Sequence, residues 1–314
     1  MWTEEHRPQR LDEVLGQKHV IGQLKAFSKN PQSMPNLLFA GNAGIGKTSS
    51  ALALSYEILG DAFNENFLEL NASDARRVED FRRDVKSFTK FKPFGNAPVR
   101  ILLLDEADNL VRPFQEALRR TMEKASQIRF IFIVNETRSL LPPILSRCAV
   151  CRFFPLEKEF IIKKIQMVSE KENVAITEKA IDLLIKIAKG DMRKLINLMQ
   201  SASILHNHIT EDVLYKNIGM IPYDELIEFI SVLIEQKSDA LEKAQVFVRS
   251  LLFERGIPVD IFLNQLNDVI HEHKNIDEAT KIDLSLSLGK IDYYITEGAN
   301  GELQLMNFLS RLIA

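Results

Sequence analysis

Residues 36–48 read NLLFAGNAGIGKT: a short apolar run that breaks into a glycine-rich turn and ends in Gly-Lys-Thr. The run has the length and side chains of a strand buried on both faces. The turn at 41–48 has the spacing Gly, four residues, Gly-Lys-Thr, and a helical segment follows over about 47–60. Strand, loop and helix in that order bring backbone N–H groups and the positive end of a helix to one point, a seat for phosphate. The candidate ATP-binding residues are therefore Gly41, Asn42, Ala43, Gly44, Ile45, Gly46, Lys47, Thr48 and the adjoining Ser49. In such a loop the lysine reaches the β- and γ-phosphates and the hydroxyl holds Mg²⁺.

Four further runs, at 66–71, 99–105, 128–135 and 149–154, read as strands. Helical segments near 74–90, 112–125 and 139–145 lie between them. This alternation predicts an α/β domain built on a doubly wound parallel sheet. ILLLDEAD at 101–108 ends its strand in two acids. Asp105 is placed to hold Mg²⁺, directly or through water, and Glu106 to polarise the water that attacks the γ-phosphate. Asn135 ends the next strand, where an amide contacts the γ-phosphate or the lytic water; a strand-end turn residue is the plain alternative. GDMRK at 190–194 opens a helix with Asp191 as its cap. Arg193 then sits in the first turn, on a path back to the nucleotide or out into solvent.

After Pro155 the strand signals stop, and the chain reads as successive helices: 157–172, 177–189, 192–205, 210–217, 223–235, 238–254, 258–273, 277–296 and 300–313. GMIPYDE at 219–225 breaks the periodicity and marks a boundary. With 314 residues the chain has room for two or three domains. There is no apolar run of bilayer length and no signal-peptide core at the N-terminus, so no membrane association is expected. The net charge of −3 excludes a globally basic nucleic-acid binder. A local patch remains: helix 74–90 carries Arg76, Arg77, Arg82, Arg83, Lys86 and Lys90. Of these, Arg82, Lys86 and Lys90 recur every four residues on one face. They form either a phosphate-contacting stripe or a solvated face balanced by Glu79, Asp80 and Asp84.

The motifs HRPQRLDEVLGQ (6–17), GNAGIGKT, ELNASD (69–74), LLLDEADNL (103–110), EALRRTME (116–123), SRC (146–148) and GDMRK together resemble the small subunits of replication factor C. These are sliding-clamp loaders of the AAA+ ATPase family. The resemblance runs over about the first 200 residues. It implies an AAA+ parallel-sheet domain over 1–154, an all-α lid over 155–220 and an all-α collar over 221–314. It also implies a heteropentameric ring with a large subunit and other small subunits. By the same resemblance the ring opens the sliding clamp and places it on primer–template DNA, without reading sequence. Arg147 then becomes an arginine finger given in trans to the neighbouring ATP. Arg7, Pro8 and Val14 enclose the adenine, and the helix at 74–90 tracks DNA. Asn71 restrains Glu106, and the loop at 88–98 is either a surface for the clamp or a surface loop with its own small apolar cluster. The short, tail-less chain points to an archaeal source, hence to the cytoplasm and nucleoid; a eukaryotic source would imply the nucleus. Two other readings belong beside this one: a stator subunit that hydrolyses nothing, and another AAA+ DNA motor, for branch migration or initiation. Asn42 and Ala43 replace the two prolines usual in the family's loop, and Ala75-Arg76-Arg77 replaces Glu-Arg-Gly. Both cysteines, Cys148 and Cys151, fall beside Arg147. Cys151 shares a strand face with Ala149 and reads as a small hydrophobe, and no second C-x-x-C exists to complete a zinc site.

Overall fold

The computed structural model describes residues 1–314 apart from 74–77, 205–206, 236–238 and 314. The side chains of 78–81, 234–235 and 311–313 also lie outside the described set. The chain forms two compact units, Met1–Gln200 and Ser201–Ala314.

The first unit is built on five strands: β1 (Asn36–Ala40), β2 (Phe67–Asn71), β3 (Arg100–Asp105), β4 (Ile128–Val134) and β5 (Cys148–Arg152). They pair in parallel in the order β2-β3-β4-β1-β5. Alternation sorts their side chains into two layers. Leu37, Phe39, Ile101, Leu103, Ile131, Ile133 and Cys151 face helices α1 (Lys18–Lys29) and α2 (Lys47–Leu59). Leu38, Leu102, Leu104, Phe130, Phe132 and Val134 face α3 (Val78–Thr89) and α4 (Arg112–Lys124). Both layers are apolar because both faces are covered, which is why these strands read as continuous apolar runs rather than alternating ones. A short helix, α5 (Pro142–Leu145), precedes β5, and α6 (Lys158–Glu172), α7 (Glu178–Ala188) and α8 (Met192–Ser203) follow it.

The second unit is helical: Glu211–Ile218, Tyr223–Glu235, Ala240–Arg249, Val259–Glu272, Glu278–Thr296 and Gly301–Ile313. Its core gathers Leu226, Phe229, Phe262, Leu266, Leu288 and Phe308.

The structure corrects several sequence expectations. Helix 139–145 is a 3₁₀ turn at Thr137–Ser139 followed by α5, because Pro142 and Pro143 cannot donate and so must begin a helix rather than continue one. The strand expected at 149–154 is Cys148–Arg152. Helix 238–254 begins at Ala240 and loosens into a π-turn over Ser250–Glu254, where Arg255 N–H bonds to Ser250 O. Two-residue strands occur at Ala175–Ile176 and His208–Ile209, after the point where strand signals stop. Helix α1 was not anticipated. Among the described residues, no helix is long and apolar enough to cross a membrane.

Burial pushes the Cys148 thiol up to about 12 and the Cys151 thiol up to about 11. Thiolates are the reactive form, so both cysteines are poor nucleophiles at neutral pH. Iodoacetamide at pH 8 is expected to modify neither in the folded chain within minutes, and both in denaturant. Fast labelling of the folded chain, read by mass spectrometry, would contradict this environment.

Candidate nucleotide site

The strand order decides what meets at the carboxyl edge of the sheet. β4 lies between β1 and β3, so Asn135, just past β4, falls between the phosphate loop after β1 and the acids that end β3. Lys47 begins α2 and is 7% exposed. Its ammonium donates to Gly41 O, to Asn42 O at 2.6 Å and to Asn135 Oδ1 at 3.2 Å. Burial lowers the Lys47 pKa; the charges of Asp105 and Asp108 oppose that shift and Arg193 adds to it. A partly desolvated ammonium that meets mainly neutral carbonyls is a strong attractor for a phosphate oxyanion.

Thr48 Oγ1 donates to Asp105 Oδ2 at 2.8 Å. A hydroxyl and a carboxylate converging at one point form the hard-oxygen pair that Mg²⁺ takes beside nucleotide phosphates. Glu106 has a left-handed backbone, φ 50°, an uncommon state for a non-glycine residue. This bend ends the strand and exposes the Glu106 side chain, while its N–H bonds to Asp105 Oδ1 at 2.8 Å.

These groups border a cleft of about 280 Å³ within the first unit. Ala43 through Ser49, Asp105, Glu106, Asn135 and Arg193 line it, as do Arg7, Pro8 and Val14 from the N-terminal arm. Gly41 and Asn42 do not line it; they lie behind it and contribute carbonyls to Lys47. Leu15, Ile45, Leu156, Met192 and Ile196 give it an apolar side of the kind a base needs.

The turn before α8 is tied directly to the loop after β1. Met192 N–H bonds to Gly44 O at 3.0 Å, and Asp191 Oδ1 caps α8 through Lys194 N–H at 3.0 Å. A Cβ on Gly44 would stand 1.9 Å from Asp191 Oδ1 and 3.0 Å from Asp191 Cα, at a φ of +71°. Gly44→Ala therefore has to push the turn at Asp191 off the loop. The expected result is at least about tenfold weaker ATP binding, the equivalent of ~1.4 kcal/mol. Titration with a fluorescent ATP analogue checks it, and unchanged affinity would mean that this contact is dispensable.

Arg147 is not among the cleft residues. Its Nη1 donates to Pro143 O at 2.7 Å and its Nη2 to Glu123 Oε1 at 2.6 Å, with the side chain 34% exposed. Asn71, at the end of β2, accepts the Ser73 N–H and hydroxyl at its Oδ1, both at 2.9 Å. On α3, Val85 and Phe88 are buried, while Arg82, Arg83 and Lys86 are exposed; Lys90, also exposed, lies just past the helix, which ends at Thr89 rather than at 90. Arg76 and Arg77 lie outside the described residues. Phe91 and Phe94, in the following loop, are half-exposed. The buried Arg100 stacks 3.7 Å from the Phe88 ring, donates to Phe88 O at 2.6 Å and lies 5.6 Å from the Phe94 ring of that loop.

Three site features have no short-range signal. His6 Nε2 lies 2.6 Å from Glu172 Oε1, and Lys164 Nζ donates to His6 O at 2.7 Å, so α6 holds the N-terminal arm beside the cleft. Lys164 also lines the cleft. Gln115, buried in α4, donates to Leu110 O and Ser139 O and accepts the Leu141 N–H. Four of these five bonds join residues 24 to 166 positions apart, beyond any motif.

Residues 37–156 match the family described as "ATPase family associated with various cellular activities (AAA)". Residues 222–311 match the "Replication factor C C-terminal domain". The chain is 40% identical over 314 residues to the replication factor C small subunit of Methanococcus maripaludis, covering 99% of this chain and 98% of that protein. The chain belongs to the replication factor C small-subunit family. It is an ATPase subunit of a replication clamp loader. The small subunit of Methanothermobacter thermautotrophicus is 39% identical over 316 residues, covering 99% of this chain and 97% of that one. Among solved structures, the Thermotoga maritima RuvB Holliday junction branch migration motor aligns with a TM-score of 0.57 at 18% identity, covering 83% of this chain and 91% of that one. That likeness concerns the fold. The full-length identity to clamp-loader subunits separates this replication factor C chain from a branch-migration motor.

Proposed function

We propose that this replication factor C subunit is a hydrolysing motor within a hetero-oligomeric ring, which uses Mg²⁺–ATP to open the sliding clamp and place it on primer–template DNA. The observation that carries the reading is the division of the arginines. Lys47, Thr48, Asp105, Glu106, Asn135 and Arg193 border one cleft, whereas Arg147 lies outside it on a partly exposed surface. Such a site is complete except for the second arginine, which a neighbouring subunit supplies.

The residues divide the work as follows. Lys47 and the loop N–H groups hold the β- and γ-phosphates. Thr48 and Asp105 hold Mg²⁺, which when bound neutralises charge on the phosphate oxygens. Glu106 takes the proton of the attacking water, and Asn135, fixed against Lys47, orients that water or the γ-phosphate. Arg193 senses the phosphates from the lid side. Arg7, Pro8 and Val14 close over the adenine. The presence of Lys47 and Glu106 speaks against a stator.

The exposed stripe of Arg82, Lys86 and Lys90, with Arg83 and with Arg76 and Arg77 before it, contacts DNA phosphates without sequence readout. The Phe91–Phe94 loop is a surface for the clamp. Steady-state ATP hydrolysis by the assembled ring tests the whole reading. Clamp plus primed DNA should stimulate it strongly. Stimulation by branched or unprimed DNA, with no effect of the clamp, would overturn it.

A further inference from the structure

Asp108 has no part in the roles above. It borders the cleft, two residues past Glu106, yet both of its carboxylate oxygens are turned onto the segment after β4. Oδ2 accepts the Asn135 N–H at 2.7 Å. Oδ1 accepts the Ser139 hydroxyl at 2.9 Å and the Glu136 N–H at 3.3 Å. Asn135 is the first residue past β4, and its N–H finds this carboxylate in place of a ladder partner. Its side chain then accepts the Lys47 ammonium at 3.2 Å. A continuous set of bonds thus runs from Asp108 through Asn135 to the lysine of the phosphate loop.

We propose that Asp108 is a positioning residue for ATP hydrolysis, which fixes the Asn135 side chain against Lys47 and thereby against the γ-phosphate. Two features favour this over a role as metal ligand or base. Two backbone N–H groups of one turn converge on its two oxygens, and the Ser139 hydroxyl joins them while also reaching Glu136 O at 2.7 Å. The turn it grips begins with Asn135 and carries no other cleft-lining side chain. An amide in its place has one acceptor oxygen and an NH₂ group, so at least one donor of the turn would face another donor.

The test uses the full chain in its assembled complex and compares Asp108→Asn, Ser139→Ala, Asn135→Ala and the Asp108→Asn/Asn135→Ala double variant. Asp108→Asn is expected to lower kcat by about 10- to 100-fold, the range for residues that act by orienting another group. Affinity for a fluorescent ATP analogue should stay near wild type. Ser139→Ala removes one of the three bonds and leaves the charge near Lys47 unchanged, so it should lower kcat less and in the same manner. The double variant should be no slower than the slower single one, since both act on the same side chain. Wild-type kcat in Asp108→Asn, a loss of ATP binding in place of kcat, or a double variant slowed by the product of the single effects would each overturn the proposal. If Asp108→Asn does not fold, Ser139→Ala decides, and wild-type kcat there overturns it. The proposal rests on the role given to Asn135. Asn135→Ala at wild-type kcat rejects that role; a slow Asn135→Ala beside a fast Asp108→Asn rejects only the role of Asp108.

Discussion

Lys47→Ala is expected to abolish ATP hydrolysis by this subunit while leaving the chain folded. Lys47 is 7% exposed, and its ammonium faces Gly41 O, Asn42 O and Asn135 Oδ1. It is the cation at the centre of the phosphate loop, in a site where water screens little. Removing a preorganised donor from such a site costs on the order of 10² to 10³ in rate. Stability should hardly suffer. Lys47 opens α2, alanine is the best helix former, and the change removes a buried charge whose pKa burial already lowers. Steady-state hydrolysis, ATP titration and thermal unfolding together check this result. Hydrolysis at the wild-type rate in an otherwise intact ring would remove the motor assignment and favour a stator.

Arg147→Ala is expected to silence the neighbouring subunit's site rather than its own. ATP binding by the altered subunit should stay the same, because the side chain lies outside its own cleft. Hydrolysis in the assembled ring should fall by roughly 10³-fold or more, the effect of withdrawing an arginine finger. The loss belongs to the neighbour, so mixing helps to separate the two variants. A ring in which an Arg147→Ala subunit adjoins a Lys47→Ala subunit should lose one active site rather than two. The isolated chain should show no rate change. Folding should change little, since the ion pair with Glu123 is partly exposed and such pairs contribute only about 0–1 kcal/mol. Arg147→Lys should not restore activity: a lysine cannot reproduce the planar fork of donors that a transferring phosphoryl group needs. Equal losses in the isolated chain and the ring would place Arg147 in its own site and end the trans reading.

Much of this site was legible because its parts are local. A phosphate loop needs glycines at fixed offsets between a strand and a helix, and residues 36–60 contain them in order. Asp105 and Glu106 follow an apolar run directly, and the strands are apolar on both faces because helices cover both. The expected strands lie within about two residues of the observed ones, since burial on a parallel sheet leaves a continuous signal. The family resemblance extended the reading to Arg147, which no local rule assigns.

Other features depended on side-chain partners distant in the chain. At Asn71 the oxygen accepts two bonds from Ser73, two residues away, a local contact that a strand-end Asn followed by Ser permits. The grip of Asp108 on Asn135, the contact of Asp191 with Gly44 and the bond of His6 to Glu172 join residues 27, 147 and 166 positions apart. By itself the sequence determined the periodic elements, the glycine-dependent loop and the acids at a strand end, because these follow from the backbone and nearest neighbours. Only the tertiary structure decided which groups share the cleft and which lies outside it, because that depends on β4 entering between β1 and β3, a choice made by the packing of the whole sheet.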